Sequence, residues 1–167
     1  EFGYSVALEG NYAVIGAYLD DDNGSNSGSA YIFNVSTGTQ LRKLTASDGA
    51  IDDEFGRDIS ISGNYIVIGE KNDDDNGSNS GSVYIFDTRT GAQLRKLTAS
   101  DGAADDEFGT TVAVSGNYIV IGAYLDDDNG ADSGSAYVFD ARTGTELYKL
   151  TANDGAAGDF FAESISL

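Results

Sequence analysis

The sequence predicts an all-β fold of three like antiparallel units, and three observations carry that prediction. An offset of 53 residues separates Phe2-Gly3, Phe55-Gly56 and Phe108-Gly109, and it also relates the acidic stretches 20–33, 73–86 and 126–139. A fixed period of this kind marks a repeat architecture in which each unit buries its apolar face on the next. Apolar and polar residues alternate with period two inside each unit, and no stretch shows a helical period. The 22 glycines sit between these alternating runs, where turns are needed.

Taken in order, each unit reads as four short strands. In 55–62, Phe55, Ile59 and Ile61 share one face, and Gly56, Asp58, Ser60 and Ser62 the other. Gly63-Asn64 then makes a two-residue hairpin turn. Residues 65–69, Tyr-Ile-Val-Ile-Gly, form a nearly continuous apolar run, which predicts a strand buried on both sides. The acidic loop follows, then a third strand at 82–86. A turn with Gly91 where positive φ is needed leads to a fourth strand at 92–98. Arg95 and Lys96 make that last strand a half-exposed or edge strand. Residues 99–107 form a second acidic loop that returns the chain to the next Phe-Gly, and 161–167 begin a fourth copy of the first strand. Four strands in about 50 residues match a β-propeller blade.

Composition narrows the chemistry. The chain has no Cys, His, Met, Trp or Pro, which excludes disulfides, thiolate or imidazole metal sites and Ser-His-Asp or Cys-His catalysis. Net charge is −19, with most of the 28 acidic residues in the two loop types. Such a field repels phosphate backbones and anionic lipid, so no nucleic acid and no membrane insertion is expected, and cations are the natural partners. No apolar run approaches the roughly 18 to 20 residues a membrane span needs. A chain that begins at Glu1 fits a processed secreted protein or a piece of a longer chain.

Phe2-Gly3-Tyr4-Ser5-Val6-Ala7, then Val14-Ile15-Gly16-Ala17, an Asp-rich loop and Gly28-Ser29-Ala30-Tyr31-Ile32-Phe33 resemble the FG-GAP repeat. That repeat builds the propeller of integrin α chains and of many secreted bacterial proteins. The resemblance spans all three copies. Tyr18 and Tyr124 stand where the family has Pro, and the middle copy has Glu70-Lys71 after Gly69. The resemblance implies β-propeller-type blades, with the Phe-Gly strand outermost in one blade and the Val-Ile-Gly-Ala strand innermost in the next. Carried over, it gives an orphan outer strand in 1–10 and blades at 11–63, 64–116 and 117–167. Three blades are fewer than the roughly four to eight of a closed propeller, so either the array continues or chains associate.

The resemblance also implies calcium ligands in the acidic loops: Asp20, Asp22 and Asn23, with Asp73, Asp75 and Asn76, and Asp126, Asp128 and Asn129. Gly24, Gly77 and Gly130 would supply the sharp turn, and Asp48, Asp52 and Asp53 of the return loop could contribute. Ca2+ takes about six to eight oxygens in flexible geometry, which short Asp/Asn loops provide. A solvated turn rich in Asp, Asn, Gly and Ser has the same composition. Carboxylate pairs could instead serve a glycosidase, but three identical copies lack the single asymmetric arrangement catalysis needs. Tyr18 and Tyr124 could stack on sugar, and Asn23, Asn34 and Asn76 head glycan-acceptor triplets.

The expectation is thus a non-enzymatic, calcium-stabilised extracellular or cell-surface module. Its partners would be an extracellular protein or glycan, in cell adhesion. The alternative is a structural protein that assembles with itself as a homo-oligomer, filament or surface layer, because near-identical repeats offer surfaces that stack head to tail.

Overall fold

The computed structural model describes residues 1–167 and contains twelve strands and no helix. They are β1 Val6–Glu9, β2 Tyr12–Ala17, β3 Ser29–Asn34 and β4 Thr39–Leu44; β5 Ile59–Ser62, β6 Tyr65–Glu70, β7 Ser82–Asp87 and β8 Gln93–Leu97; β9 Thr111–Ser115, β10 Tyr118–Ala123, β11 Ser135–Asp140 and β12 Thr145–Leu150. They form three four-stranded antiparallel sheets in the orders β1-β2-β3-β4, β5-β6-β7-β8 and β9-β10-β11-β12. The repeat reading therefore holds strand by strand. The sheets are blade-like, and the array is not closed into a ring.

Local chemistry fixes the register. Glu9 pairs with Tyr12, Ser62 with Tyr65 and Ser115 with Tyr118, leaving Gly-Asn as the two-residue turn each time. Gly10, Gly63 and Gly116 take φ of 56°, 57° and 59°, the left-handed conformation such turns require. Each third strand meets the fourth with a register shift, at Ile32/Phe33, Ile85/Phe86 and Val138/Phe139.

The partition carried over from the resemblance does not follow these sheets. The sheets occupy 6–44, 59–97 and 111–150, so β1 is no orphan strand in 1–10 but the hairpin partner of β2. Blades drawn at 11–63, 64–116 and 117–167 would separate each Phe-Gly strand from the strand it pairs with. The tight Gly-Asn turn is the reason: it folds the Phe-Gly strand forward, onto its own repeat. Residues 161–167, read as the start of a fourth first strand, form no strand.

The core lies between the sheets. Val14, Ala30, Ile32 and Leu44 of the first repeat meet Phe55, Ile59, Ile66, Ile68, Tyr84 and Phe86 of the second. Val67, Val83, Ile85 and Leu97 on the opposite face meet Phe108, Val112, Ile119, Ile121, Tyr137 and Phe139 of the third. The middle sheet is thus buried on both faces, which is why β6 reads as a continuous apolar run. The first strands also meet: Val112, Val114 and Gly116 donate backbone N–H groups to the side chains of Asp58, just before β5, and of Ser60 and Ser62 within it.

The two glycine positions of the repeat touch each other across that interface. A Cβ on Gly16 would lie 2.1 Å from the Gly56 carbonyl oxygen, and one on Gly69 would lie 2.0 Å from that of Gly109. Where Gly122 of the third sheet meets the C-terminal segment, Ala162 takes the place of the Phe-Gly glycine, with φ 70°. An alanine held there costs about 1 kcal/mol relative to glycine. Ala162→Gly is expected to raise the urea midpoint, by a stabilisation of about 0.5–1 kcal/mol.

Candidate functional site

The acidic loops leave β2, β6 and β10 and are braced in the same way each time. In the middle copy Gly81 N–H bonds Asp73 O at 2.8 Å, Gly77 N–H bonds Asp74 O at 3.1 Å, and Asn79 N–H bonds Asp74 Oδ1 at 2.8 Å. Asn79 has φ 52°, as its counterparts Asn26 and Asp132 have 53° and 54°, a conformation Asn and Asp tolerate best among side-chain-bearing residues. The central Asp of each triplet therefore shapes the loop, and the flanking pair is free to converge.

It converges on a lysine. Lys96 Nζ lies 2.8 Å from Asp73 Oδ2, 2.7 Å from Asp75 Oδ2 and 2.8 Å from Asp48 Oδ2 of the preceding return loop. Lys149 repeats this with Asp126 at 2.9 Å, Asp128 at 2.7 Å and Asp101 at 2.7 Å. Lys43 joins Asp20 and Asp22 in the first repeat. Each ammonium also lies over the ring of its cross-strand partner, Tyr31, Tyr84 or Tyr137, at 5.2, 5.4 and 5.2 Å. Those tyrosines complete the network: Tyr84 Oη donates to Asp48 at 2.9 Å, and Tyr137 Oη to Asp101 and Asp126 at 2.9 and 3.0 Å.

The electrostatics follow from this arrangement. Burial by itself would raise the Asp126 carboxyl, but the Lys149 ammonium and the Ser135 hydroxyl hold it below the ordinary carboxylate range. Burial would likewise lower Lys96, and Asp48, Asp73 and Asp75 reverse that and raise it. Asp106, buried and facing Asp126 with no cation of its own, is pushed up to about 6 by desolvation first, despite accepting the Ala103 N–H.

Of the residues expected as metal ligands, Asp20 and Asp22, Asp73 and Asp75, and Asp126 and Asp128 are brought together at one point per repeat. Asn23, Asn76 and Asn129 are turned elsewhere: their amides donate to the carbonyls of Ala46, Ala99 and Ala152 at 3.4, 3.5 and 3.3 Å. Within the return loop Asp48 joins the cluster, Asp52 accepts from Asn26, and Asp53 accepts the Ala50 N–H. Two acidic groups could hold a metal ion, each with one oxygen per residue within 4.8 Å of the others: Asp48, Asp73 and Asp75, and the buried trio Asp53, Glu70 and Asp73.

The lysines are the members of the cluster that residue types alone did not disclose. The available signal was recurrence: Lys stands at 43, 96 and 149, while its neighbour varies as Arg42, Arg95 and Tyr148. The arginines point away, Arg95 to the Arg142 carbonyl at 2.6 Å. Tyr18 is engaged within the protein, its ring 4.5 Å from that of Tyr4 and 5.1 Å from the Arg57 guanidinium.

No helix is long and apolar enough to cross a membrane. No curated protein matches the sequence. A family model described as FG-GAP repeat matches residues 1–33, 39–86 and 92–139. Those segments cover well over half the chain and take in every Phe-Gly strand and acidic loop described above, so the chain belongs to the FG-GAP repeat family.

Proposed function

We propose that the chain is a non-enzymatic extracellular interaction module, of the adhesion or protein- and glycan-binding kind, whose acidic loops take up calcium. The supporting observation is that one arrangement, a carboxylate pair converging on a cation position, is built three times. Like sites repeated around an array suit stabilisation and multivalent contact, whereas catalysis requires one asymmetric set of groups. The ammonium is the stand-in that defines the position: Asp20 and Asp22, Asp73 and Asp75, and Asp126 and Asp128 are the residues that would hold calcium, once the lysine swings out. Lys149→Met vacates the position between Asp101, Asp126 and Asp128 and isolates the question. Calorimetric titration is expected to show calcium binding at least tenfold tighter in the variant, with calcium restoring the melting temperature lost in chelator. Binding no tighter than in the unaltered chain would count against calcium at the loops.

A second reading, self-association as a structural subunit, is favoured by the two end faces. Phe2, Val6, Leu8, Ile15 and Phe33 occupy the positions of Phe55, Ile59, Ile61, Ile68 and Phe86, yet face no sheet. Val6 is 61% exposed where Ile59 is 6% exposed. At the other end Leu150 is 43% exposed where Leu97 is 4% exposed. One end thus shows the front half and the other the back half of an interface the chain forms twice internally. A heterologous contact between such halves propagates from copy to copy and does not close on itself after one step.

A further inference from the structure

Glu70 ends β6 at a position where the other repeats have Ala17 and Ala123. Its side chain is fully buried, and neither Oε1 nor Oε2 has a hydrogen-bond partner. It faces Asp53, from the return loop of the first repeat, and Asp73, from the acidic loop of the second. All three residues are buried, and one oxygen of each lies within 4.8 Å of the others. Two of the three already have part of their hydrogen bonding met: Asp53 Oδ2 accepts the Ala50 N–H, and Asp73 accepts from Ser82 and Lys96. Lys96 is committed to Asp48, Asp73 and Asp75. Glu70 alone is left with two bare oxygens aimed into a negative cluster.

A buried carboxylate without a partner is among the most costly arrangements in a folded protein. Two states relieve it, a bound cation or a proton. The position of the group favours the cation. Oxygens gathered within 4.8 Å of one another are close enough to converge on one ion with small side-chain adjustments, and they come from two stretches far apart in the chain, Asp53 and 70–73. We propose that Asp53, Glu70 and Asp73 form a divalent-cation site, confined to the middle repeat and sharing only Asp73 with the lysine-filled loop position beside it. Its all-oxygen donor set selects a hard ion of the calcium class over thiolate- or imidazole-seeking metals. A cation there ties the return loop of one repeat to β6 and the acidic loop of the next, and so pins the first interface between sheets. The site shares Asp73 with the loop position of the middle repeat, and Glu70, which belongs to no loop position, is the residue that tells the two apart.

Two variants test it. Glu70→Ala installs the residue the other two repeats carry at this position, and Glu70→Gln keeps the shape while removing the charge. Calcium alone is titrated into the unaltered chain and both variants at physiological salt, by calorimetry with equilibrium dialysis for stoichiometry. The expected result is one fewer ion per chain in both variants, or a weakening of one site by at least tenfold, with any loop sites of the first and third repeats unchanged. The same number of ions bound at the same affinity in all three proteins would overturn the proposal. So would an infrared band of a protonated carboxyl that persists in saturating calcium and disappears in Glu70→Gln. Failure of Lys149→Met to bind calcium more tightly than the unaltered chain leaves this comparison untouched, because Lys149 belongs to the third repeat, so the two readings fail separately.

Discussion

Gly69→Ala is expected to destabilise the chain by more than about 3 kcal/mol, the upper end of what one added methyl does in a packed interior. The reason is contact, not conformation. A Cβ at Gly69 would sit 2.0 Å from the carbonyl oxygen of Gly109 and 3.1 Å from its carbonyl carbon, both backbone atoms. Neither side can yield cheaply. Gly69 N–H bonds Asp58 O at 2.9 Å and its carbonyl accepts from Gly56 N at 3.1 Å, while Gly109 N–H bonds Gly122 O at 2.9 Å. Separating them opens the interface that buries Val67, Val83, Phe108 and Tyr137. Gly122→Ala meets Ala162 O at 2.4 Å and Thr111 Oγ1 at 2.5 Å, but 161–167 is mostly exposed and has no sheet packed behind it, so the cost is expected to be smaller. Thermal denaturation of the two variants side by side, followed by circular dichroism, reads this order.

In chelator, Lys96→Met is expected to cost about 3 kcal/mol, roughly a 10 °C fall in melting temperature for a chain of this size. Removing the ammonium leaves Asp73, nearly buried, facing Asp75, Asp48 and Glu70 with no counter-charge. Breaking a fully buried pair costs about 3–5 kcal/mol, and the lower end applies because Asp48 and Asp75 are half exposed and screened. Lys43→Met removes a more exposed ammonium with two carboxylate partners, so its effect should be smaller. The pH dependence has a defined sign. Burial raises Asp48 but Lys96 and Tyr84 outweigh it, leaving the folded carboxyl lower than the unfolded one. Its contribution is therefore present above about pH 4 and lost as pH falls through the lowered folded value. Lys96, raised in the folded state, contributes below its ordinary range and loses that contribution only as pH rises through the raised value. In Lys96→Met the acid limb of the stability curve should flatten, which guanidinium titrations between pH 3 and about 6 will show.

The period, the strand pattern and the turns were all legible because each is local. Gly-Asn at 10–11, 63–64 and 116–117 specifies a hairpin whatever surrounds it, and period-two alternation specifies which residues face a neighbouring sheet. The grouping of strands was less legible. The Phe-Gly dipeptide does lean on the preceding repeat, since Phe55 N–H bonds Ser27 O at 3.1 Å and Gly56 packs on Gly16. The strand after it nevertheless pairs forward, and only the hydrogen-bond ladder distinguishes the two. The acidic loops were legible as a charge problem but not in their solution. Lys96 reads as an edge-strand cation until the register sets it opposite Tyr84 and the stacking of sheets delivers Asp48 from the repeat before. The resemblance places Asn76 among the loop ligands, and only the fold shows that its amide donates to the Ala99 carbonyl. Glu70 stood out as a departure from Gly-Ala, and its burial emerges only when the sheets close over the end of β6.

Sedimentation velocity of the chain over a range of concentrations, in calcium and in chelator, tests most directly whether the open sheet faces are the working surface. Leu8→Lys, which places a charge on the front face at the position of Ile61, is run beside it. The expected result is concentration-dependent growth of the unaltered chain into end-to-end species, abolished by Leu8→Lys. A single monomeric species at every concentration and in both buffers, indistinguishable from Leu8→Lys, would contradict it.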